Sequence, residues 1–301
     1  MNPSPISEIF LDGRRFFVKR DDLIDPFLAG NKFRKLYALL QTPNTKYNKI
    51  ISYGGTQSNA MLAIAAMCSM KNWKFTYYSK PMSKTLKEET SGNFAKALRL
   101  GMEHVEIQNE FYREYIASLE ISIDEKTFLI DQGGADALAQ EGLAVLAQEI
   151  REANLEYKSL EAYSGIKKKE LNVYSLATPS GTGTTALYLA LSLPEYKIYT
   201  TPCVGDSKYL KEQMRALHPI PENLIILEPS KKYHFAKPYP ELYAQYKKLL
   251  DAGIEFDLLY APSMFQVLQE KVEEEVLYIH SGGVSGNKSM LQRYEKKAWH
   301  F

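Results

Sequence analysis

Three stretches of the chain carry residues that could do chemistry together. The first is Leu28-Ala-Gly-Asn-Lys-Phe-Arg-Lys-Leu36. Gly30 and Asn31 are turn residues, Asn31 is a good helix N-cap, and Leu36, Leu39 and Leu40 then share one helical face. Lys32 stands where loop becomes helix, its stem held and its amine free to enter a cleft. An amine desolvated in this way loses its proton more easily and can hold an aldehyde as a Schiff base. A solvated surface lysine is the competing reading, and the commoner one for an isolated stretch. The second stretch is Gly54-Gly55-Thr56-Gln57-Ser58-Asn59. It lies between a predicted strand (49–53) and a predicted helix of small apolar residues (60–70), so its backbone N–H groups can meet a carboxylate or phosphate. A plain βα turn capped by Ser or Asn fits equally well. The third is Thr178-Pro-Ser-Gly-Thr-Gly-Thr-Thr185, again between a strand (172–177) and a helix (186–193). No Lys follows its last Gly, as a Walker loop requires. Ala186 stands where a dinucleotide fingerprint has its third Gly, and no acidic residue follows about 20 residues on at a strand end. A single phosphate monoester fits this loop better.

These stretches need a scaffold that brings strand ends together. Strands are predicted at 16–18, 49–53, 73–78, 104–107, 128–130, 172–177, 197–201, 224–227, 256–260 and 276–279. Helices are predicted at 33–40, 60–70, 92–100, 110–119, 142–153, 186–193, 207–217, 241–252 and 264–274. This alternation predicts an α/β fold of mostly parallel sheet with helices on both faces. Gly-bearing turns follow the strands ending at 53, 130, 177 and 279, and ligands of open α/β sheets bind at such carboxyl ends. Asp21 and Asp22 read as turn or capping residues.

Composition narrows the function classes. Of 301 residues, 45% are hydrophobic and 24% charged, which is enough apolar residue for a full core. The 37 basic and 36 acidic side chains leave a net charge of +1, so no basic field exists for nucleic acid or an anionic membrane. The short run at 167–170 reads as a solvated loop. Two cysteines, Cys68 and Cys203, in unrelated contexts fit a reducing compartment, and neither they nor the five histidines have metal-ligand spacing. No membrane-length apolar run and no signal-peptide profile occur, so a soluble cytoplasmic protein is expected, with no metal.

From about Val18 to Gly283 the ordered motifs resemble the fold-type-II pyridoxal-phosphate (PLP) enzymes, the tryptophan-synthase-β-like family. Within it the likeness is to the branch of 1-aminocyclopropane-1-carboxylate deaminases and D-cysteine desulfhydrases. Gly30-Asn-Lys-Phe-Arg-Lys-Leu36 is similar to the branch's PLP-lysine motif, and Gly55-Thr-Gln-Ser-Asn59 to its substrate and cofactor loop. Gly92-Asn93, Leu100-Gly101 and Gly133-Gly134-Ala135 are similar to small-domain landmarks. Ser180-Gly-Thr-Gly-Thr-Thr185 resembles the phosphate loop, Tyr260 the active-site Tyr, and His280-Ser281-Gly282-Gly283 the pyridine-nitrogen turn. The resemblance implies two open, mostly parallel sheets with the cofactor, pyridoxal 5'-phosphate, in the interdomain cleft. The larger domain would comprise residues 1–51 and 156–301, and the inserted smaller one 52–155. It further implies that Lys32 holds the cofactor and acts as base at Cα, with Lys35 a nearby charge. Asn59 would bond the phenolic oxygen, Thr182, Gly183, Thr184 and Thr185 the phosphate, and Ser281 the ring nitrogen. Gln57 and Ser58 would bind the substrate carboxylate, Ser58 also carrying a proton. Tyr260 would be a general acid or carboxylate partner, with Tyr239 a lesser candidate. The expected partners are a small amino acid and a second copy of the chain.

Two departures bear on the reaction. Ala60 replaces the branch's usual His, and Ala261-Pro262-Ser263 follows Tyr260 where true aminocyclopropane deaminases place Glu. A neutral Ser281 hydroxyl at the ring nitrogen and an uncharged Ala261 leave a modest electron sink. That favours β-elimination to a 2-oxo acid and ammonia over cyclopropane ring opening. A PLP-binding protein with little turnover is the alternative that Ala60 and residues 261–263 favour.

Overall fold

The computed structural model describes residues 3–28, 30–88, 92–134, 137–164 and 173–297. Ala29, Ala135, His300, residue 172 and the run at 167–170 lie outside them. The chain runs β1 (Ile6–Leu11), β2 (Arg14–Lys19), α1 (Asn31–Gln41), β3 (Lys49–Tyr53), α2 (Asn59–Lys71), β4 (Lys74–Ser79), α3 (Lys84–Lys87), α4 (Asn93–Arg99), β5 (Met102–Glu106), α5 (Asn109–Ser122), β6 (Thr127–Ile130), α6 (Ala139–Ser164), β7 (Ser175–Ala177), α7 (Thr184–Ser192), β8 (Lys197–Thr200), α8 (Ser207–Leu217), β9 (Leu224–Ile226), α9 (Pro240–Asp251), α10 (Ala261–Lys271), β10 (Leu277–Ile279) and α11 (Asn287–Glu295).

The strands form two sheets. One has six strands in the order β1-β2-β10-β7-β8-β9, the other four in the order β5-β4-β3-β6. All pairings are parallel except the β1–β2 hairpin. Period-two alternation sorts side chains onto two faces of each sheet. In the larger sheet Phe17, Leu176, Ile198, Leu277 and Ile279 face a core with α6 and α7. Phe16, Val18, Ala177, Tyr199 and Tyr278 face the opposite core with α10. In the smaller sheet Ile50, Phe75, Tyr77 and Ile130 pack with α1, α2 and α4, and Ile51 and Tyr78 with Leu119 of α5. Strands covered on both faces need nearly continuous apolar runs, which is why β7 and β10 are buried throughout. Helix α2 is buried from Ala60 to Cys68 because it lies between the smaller sheet's core and its neighbours.

The structure differs from the sequence reading in three elements. Residues 256–260 form a turn, not a strand, because the Asp257 carboxylate accepts the N–H groups of Leu259 (3.1 Å) and Tyr260 (2.7 Å) and bends the backbone. Strand β1 and helix α11 were not foreseen. Strand β3 pairs from Lys49 within the smaller sheet, and Leu143, Leu146 and Ile150 of α6 are buried in the larger sheet's core. Among the described residues, no helix is long and apolar enough to cross a membrane.

Candidate active site

Helix α1 starts against the turn that follows β10. Gly30 is its N-cap with φ 62, a conformation that favours glycine, and any Cβ there would overlap the Ser281 carbonyl oxygen. The Gly30 N–H donates to the Asp21 carbonyl (2.8 Å) and the Asn31 N–H to the Ser281 carbonyl (3.3 Å). Asn31 is therefore the first helical residue rather than the cap, and Lys32 sits in the first turn. Lys32 is partly exposed at the residue level, yet burial of its amine pulls its pKa down to about 8, with Asp257 opposing the shift. Lys35, one turn on, is buried and donates to the Gly133 carbonyl at 3.3 Å. Burial, and then the charge of Lys32, hold its pKa well below the ordinary lysine value. Below about pH 8 Lys32 is charged, and above it the neutral amine predominates. Borohydride-fixed labelling of Lys32 by PLP is expected to rise with pH through a midpoint near 8. A midpoint at the exposed-lysine value of about 10.4 would show that the amine is not desolvated.

The α2 start approaches the turn that follows β10, where Asn59 lies against Gly283. Ser58 caps the helix, its Oγ accepting the N–H groups of Ala60 (3.1 Å) and Met61 (3.3 Å), which leaves its hydroxyl proton to donate. Tyr77 bonds Ser58 and donates its hydroxyl to the Gly55 carbonyl at 3.0 Å. Burial raises its pKa, so it stays a neutral partner to Ser58. Asn59 Oδ1 accepts from Asn93 Nδ2 (2.8 Å), and a Cβ on Gly283 would stand 2.7 Å from Asn59 Nδ2. Gln57 turns its Oε1 to the Asn93 N–H at 3.1 Å.

The loop before α7 comes close to the start of α1, where Asn31 meets Thr185. Gly183 caps α7 with φ 79, and Leu187 is the first residue whose N–H reaches back to it. The N–H groups of Thr184, Thr185 and Ala186 therefore lack helical acceptors. Thr182 Oγ1 and Thr184 Oγ1 lie 3.0 Å apart, and Asn31 Nδ2 reaches Thr185 Oγ1 at 3.5 Å. The Gly133 turn approaches Thr182, and the Tyr260 ring lies 3.7 Å from a Cβ placed on Gly181. Free N–H groups, three hydroxyls and the nearby Lys35 suit a phosphate dianion.

Two further features complete the site. Ser281 Oγ is buried with no hydrogen-bond partner among the described residues. An orphaned hydroxyl beside the start of the Lys32 helix asks for a ligand atom. The turn is set by His280, whose Nδ1 accepts the Gly282 N–H (3.1 Å), so that its Nε2 donates to the Glu255 carbonyl (2.9 Å). Burial lowers the His280 pKa and keeps that neutral form. Tyr260 is half-buried at the start of α10, and burial raises its pKa, followed by the charges of Cys203 and Asp257.

Sequence reasoning left no carboxylate here, yet Asp257 stands beside Lys32 and Tyr260. Burial pushes it up to about 7, against the N–H groups that hold it. The available signal was an Asp three residues before Tyr260 at a helix start. Tyr239 is not brought in. Its hydroxyl accepts the His234 N–H (3.1 Å), its N–H donates to Tyr294 Oη (3.3 Å), and it stacks edge-on with Tyr233. From that loop it is Phe235 that reaches Tyr260, with ring centroids 5.4 Å apart. A separate cleft of about 490 Å³ runs between α4 and α11 and shares only Gln57 with the residues expected at the site.

No protein-family model matches the chain. It is 26% identical over 300 residues to a Thermotoga maritima protein described as "Putative 1-aminocyclopropane-1-carboxylate deaminase", covering 91% of this chain and 90% of that one. The fold is similar to a crystal structure of an ACC deaminase homologue, with TM-score 0.73, 20% identity and coverage of 97% and 94%. It is also similar to a hydrogen sulfide-producing enzyme from Fusobacterium nucleatum, with TM-score 0.66, 16% identity and coverage of 97% and 90%.

Proposed function

We propose that this chain, which belongs to the 1-aminocyclopropane-1-carboxylate deaminase and D-cysteine desulfhydrase family of fold-type-II PLP enzymes, is a lyase that eliminates the β-substituent of a small amino acid. The products would be a 2-oxo acid, ammonia and the leaving group, with D-cysteine or a relative as substrate. The residues present fit the cofactor. Lys32 would carry it, the Thr182–Thr185 loop and Lys35 would bind its phosphate, Asn59 its phenolic oxygen and Ser281 its ring nitrogen. Bound there, PLP supplies an electron sink for the charge left when Cα loses a proton. The other steps belong to the chain. The Lys32 amine, neutral above about pH 8, takes the Cα proton. The Ser58 hydroxyl and the amide of Gln57 hold the substrate carboxylate. Tyr260, kept protonated by burial, donates to the leaving group. Asp257 keeps a carboxylate charge close to Lys32.

The observation that carries β-elimination is the orphaned Ser281 Oγ, together with the wholly buried, uncharged Ala261 next to Tyr260. A neutral hydroxyl at the ring nitrogen leaves the ring a modest sink, which suffices when a leaving group soon removes the charge. The test compares 2-oxo acid release from D-cysteine and from aminocyclopropane carboxylate at matched concentrations. Faster release from D-cysteine is expected, and faster turnover of the cyclopropane compound would overturn the assignment. The same reading takes the protein as a cytoplasmic homodimer. It also takes the four-stranded sheet with α2, α4 and α5 as a small domain beside the unit formed by the chain ends.

A further inference from the structure

Asn93 is 1% exposed and nearly all of its hydrogen-bonding capacity is used. Its Nδ2 donates to the Gln57 carbonyl (3.1 Å) and to Asn59 Oδ1 (2.8 Å), and its Oδ1 accepts from Ser285 Oγ (2.8 Å). Its main-chain N–H donates to Gln57 Oε1. An amide's oxygen and nitrogen are assigned by their partners, and here the partners decide. The Gln57 main-chain carbonyl can only accept, so the Asn93 atom facing it is the NH₂ group. The Asn59 atom facing that NH₂ must then be the oxygen. The Asn59 NH₂ is left pointing away, towards Gly283, where a Cβ would stand 2.7 Å from it. Ser285 belongs to the turn that begins with Ser281, so the same side chain ties the start of α4 to the end of β10.

We propose that Asn93 is a positioning residue that fixes the amide of Asn59 with its NH₂ group towards the cofactor and links that orientation to the Ser281 turn through Ser285. It rests on the preceding assignment of Asn59 to the cofactor's phenolic oxygen. A residue that merely packed α4 against α2 would not need donors on one end and an acceptor on the other.

The nearly isosteric Asn93→Asp keeps the volume but removes both side-chain donations, so the Asn59 amide is free to turn over. The readouts on PLP-loaded protein are the cofactor's absorption maximum and its dissociation constant. Asn59→Ala and Asn93→Asp are each expected to shift the maximum in the same direction and to weaken PLP binding about 10- to 100-fold. This corresponds to one lost hydrogen bond of about 1.5–3 kcal/mol to a charged group. The double variant should show no further shift. Ser285→Ala, which leaves both donations in place and keeps the fold testable if Asn93→Asp is unstable, should shift the maximum by less in that direction. A shift in Asn59→Ala with none in Asn93→Asp or Ser285→Ala, whatever their melting temperatures, would overturn the positioning role and leave the cofactor assignment intact. No shift in Asn59→Ala would overturn both.

Discussion

Lys32→Ala is expected to leave a folded protein that has lost turnover by more than about 10⁴-fold. A positioned general base alone contributes about 10²–10⁴-fold, and this lysine is also the proposed point of cofactor attachment. The fold should survive because the Lys32 charge is disfavoured by burial. Two changes should accompany the loss. Lys35, freed from the neighbouring positive charge, should titrate higher, since Lys32 is one of the causes that depress it. Asp257, without the cation beside it, should titrate higher than about 7. Steady-state 2-oxo acid release, circular dichroism and peptide mapping after borohydride treatment check the three parts. A PLP label recovered on Lys35 in the unmodified protein would move the attachment point and end the assignment.

Arg34→Met is expected to cost about 3–5 kcal/mol, the usual loss when one partner of a buried ion pair is removed. Arg34 is 1% exposed and lies between Asp21, at 0%, and Glu149. Its guanidinium meets both oxygens of each carboxylate, at 2.8 and 2.9 Å to Asp21 and 2.6 and 2.9 Å to Glu149. Lys19 pairs with Glu149 at 2.7 Å and bonds the Ser4 carbonyl, while Ser4 Oγ donates to Asp21 at 2.6 Å. Against a typical stability of about 5–15 kcal/mol, losing the central cation is severe. Urea titration measures it, and a change below about 1 kcal/mol would mean that the carboxylates find other partners. The network also sets an acid limit. Burial alone would raise the Glu149 pKa, but hydrogen bonds from Arg34 and Lys19 hold it below 4.5. A carboxyl depressed in the folded state adds stability above its unfolded value and loses it as pH falls through the folded one. Glu149 therefore stabilises the fold above about pH 4.5 and ceases to do so in more acidic solution.

The sequence made the glycine turns legible because each has a strand, a turn and a helix in fixed order, a pattern local enough to read from one chain. Lys32, Ser58, Asn59, Thr182 and Ser281 all sit on such turns, and the structure gathers them. What was not legible depends on contacts distant in sequence. Asp21 looked like a turn residue because Arg34 and Glu149, its companions in the ion network, are 13 and 128 positions further on. Asp257 was hidden inside an apolar run that reads as a strand. Only the hydrogen bond from the Leu258 N–H to Asn287 Oδ1 (2.8 Å), together with the carboxylate's own bonds, shows why it turns. Tyr239 had the right residue type in the right loop, but Ala236 with φ 58 changes the chain's course and presents Phe235 instead. The β1–β2 hairpin carries a local signal of its own. Asp12-Gly13 with φ 51 and 80 is the Asp-Gly pair that suits a type I′ turn between alternating strands.

The order of strands in the larger sheet has a consequence for synthesis. Strand β10 lies between β2 and β7, so a central strand of that sheet is the last one to leave the ribosome. The smaller sheet draws its four strands from a continuous stretch, 49–130, and can assemble while the rest is being translated. The hairpin β1–β2 must wait for most of the chain to emerge before its inner edge is covered, a long-range closure of the kind that slows folding. During that interval β2 exposes an unpaired edge with Phe16, Phe17 and Val18 still in solvent, the configuration in which strands associate wrongly with other chains. The turn carrying Ser281 follows β10 directly, so the proposed cofactor pocket is completed only when this last strand has found its place between two that were made long before it.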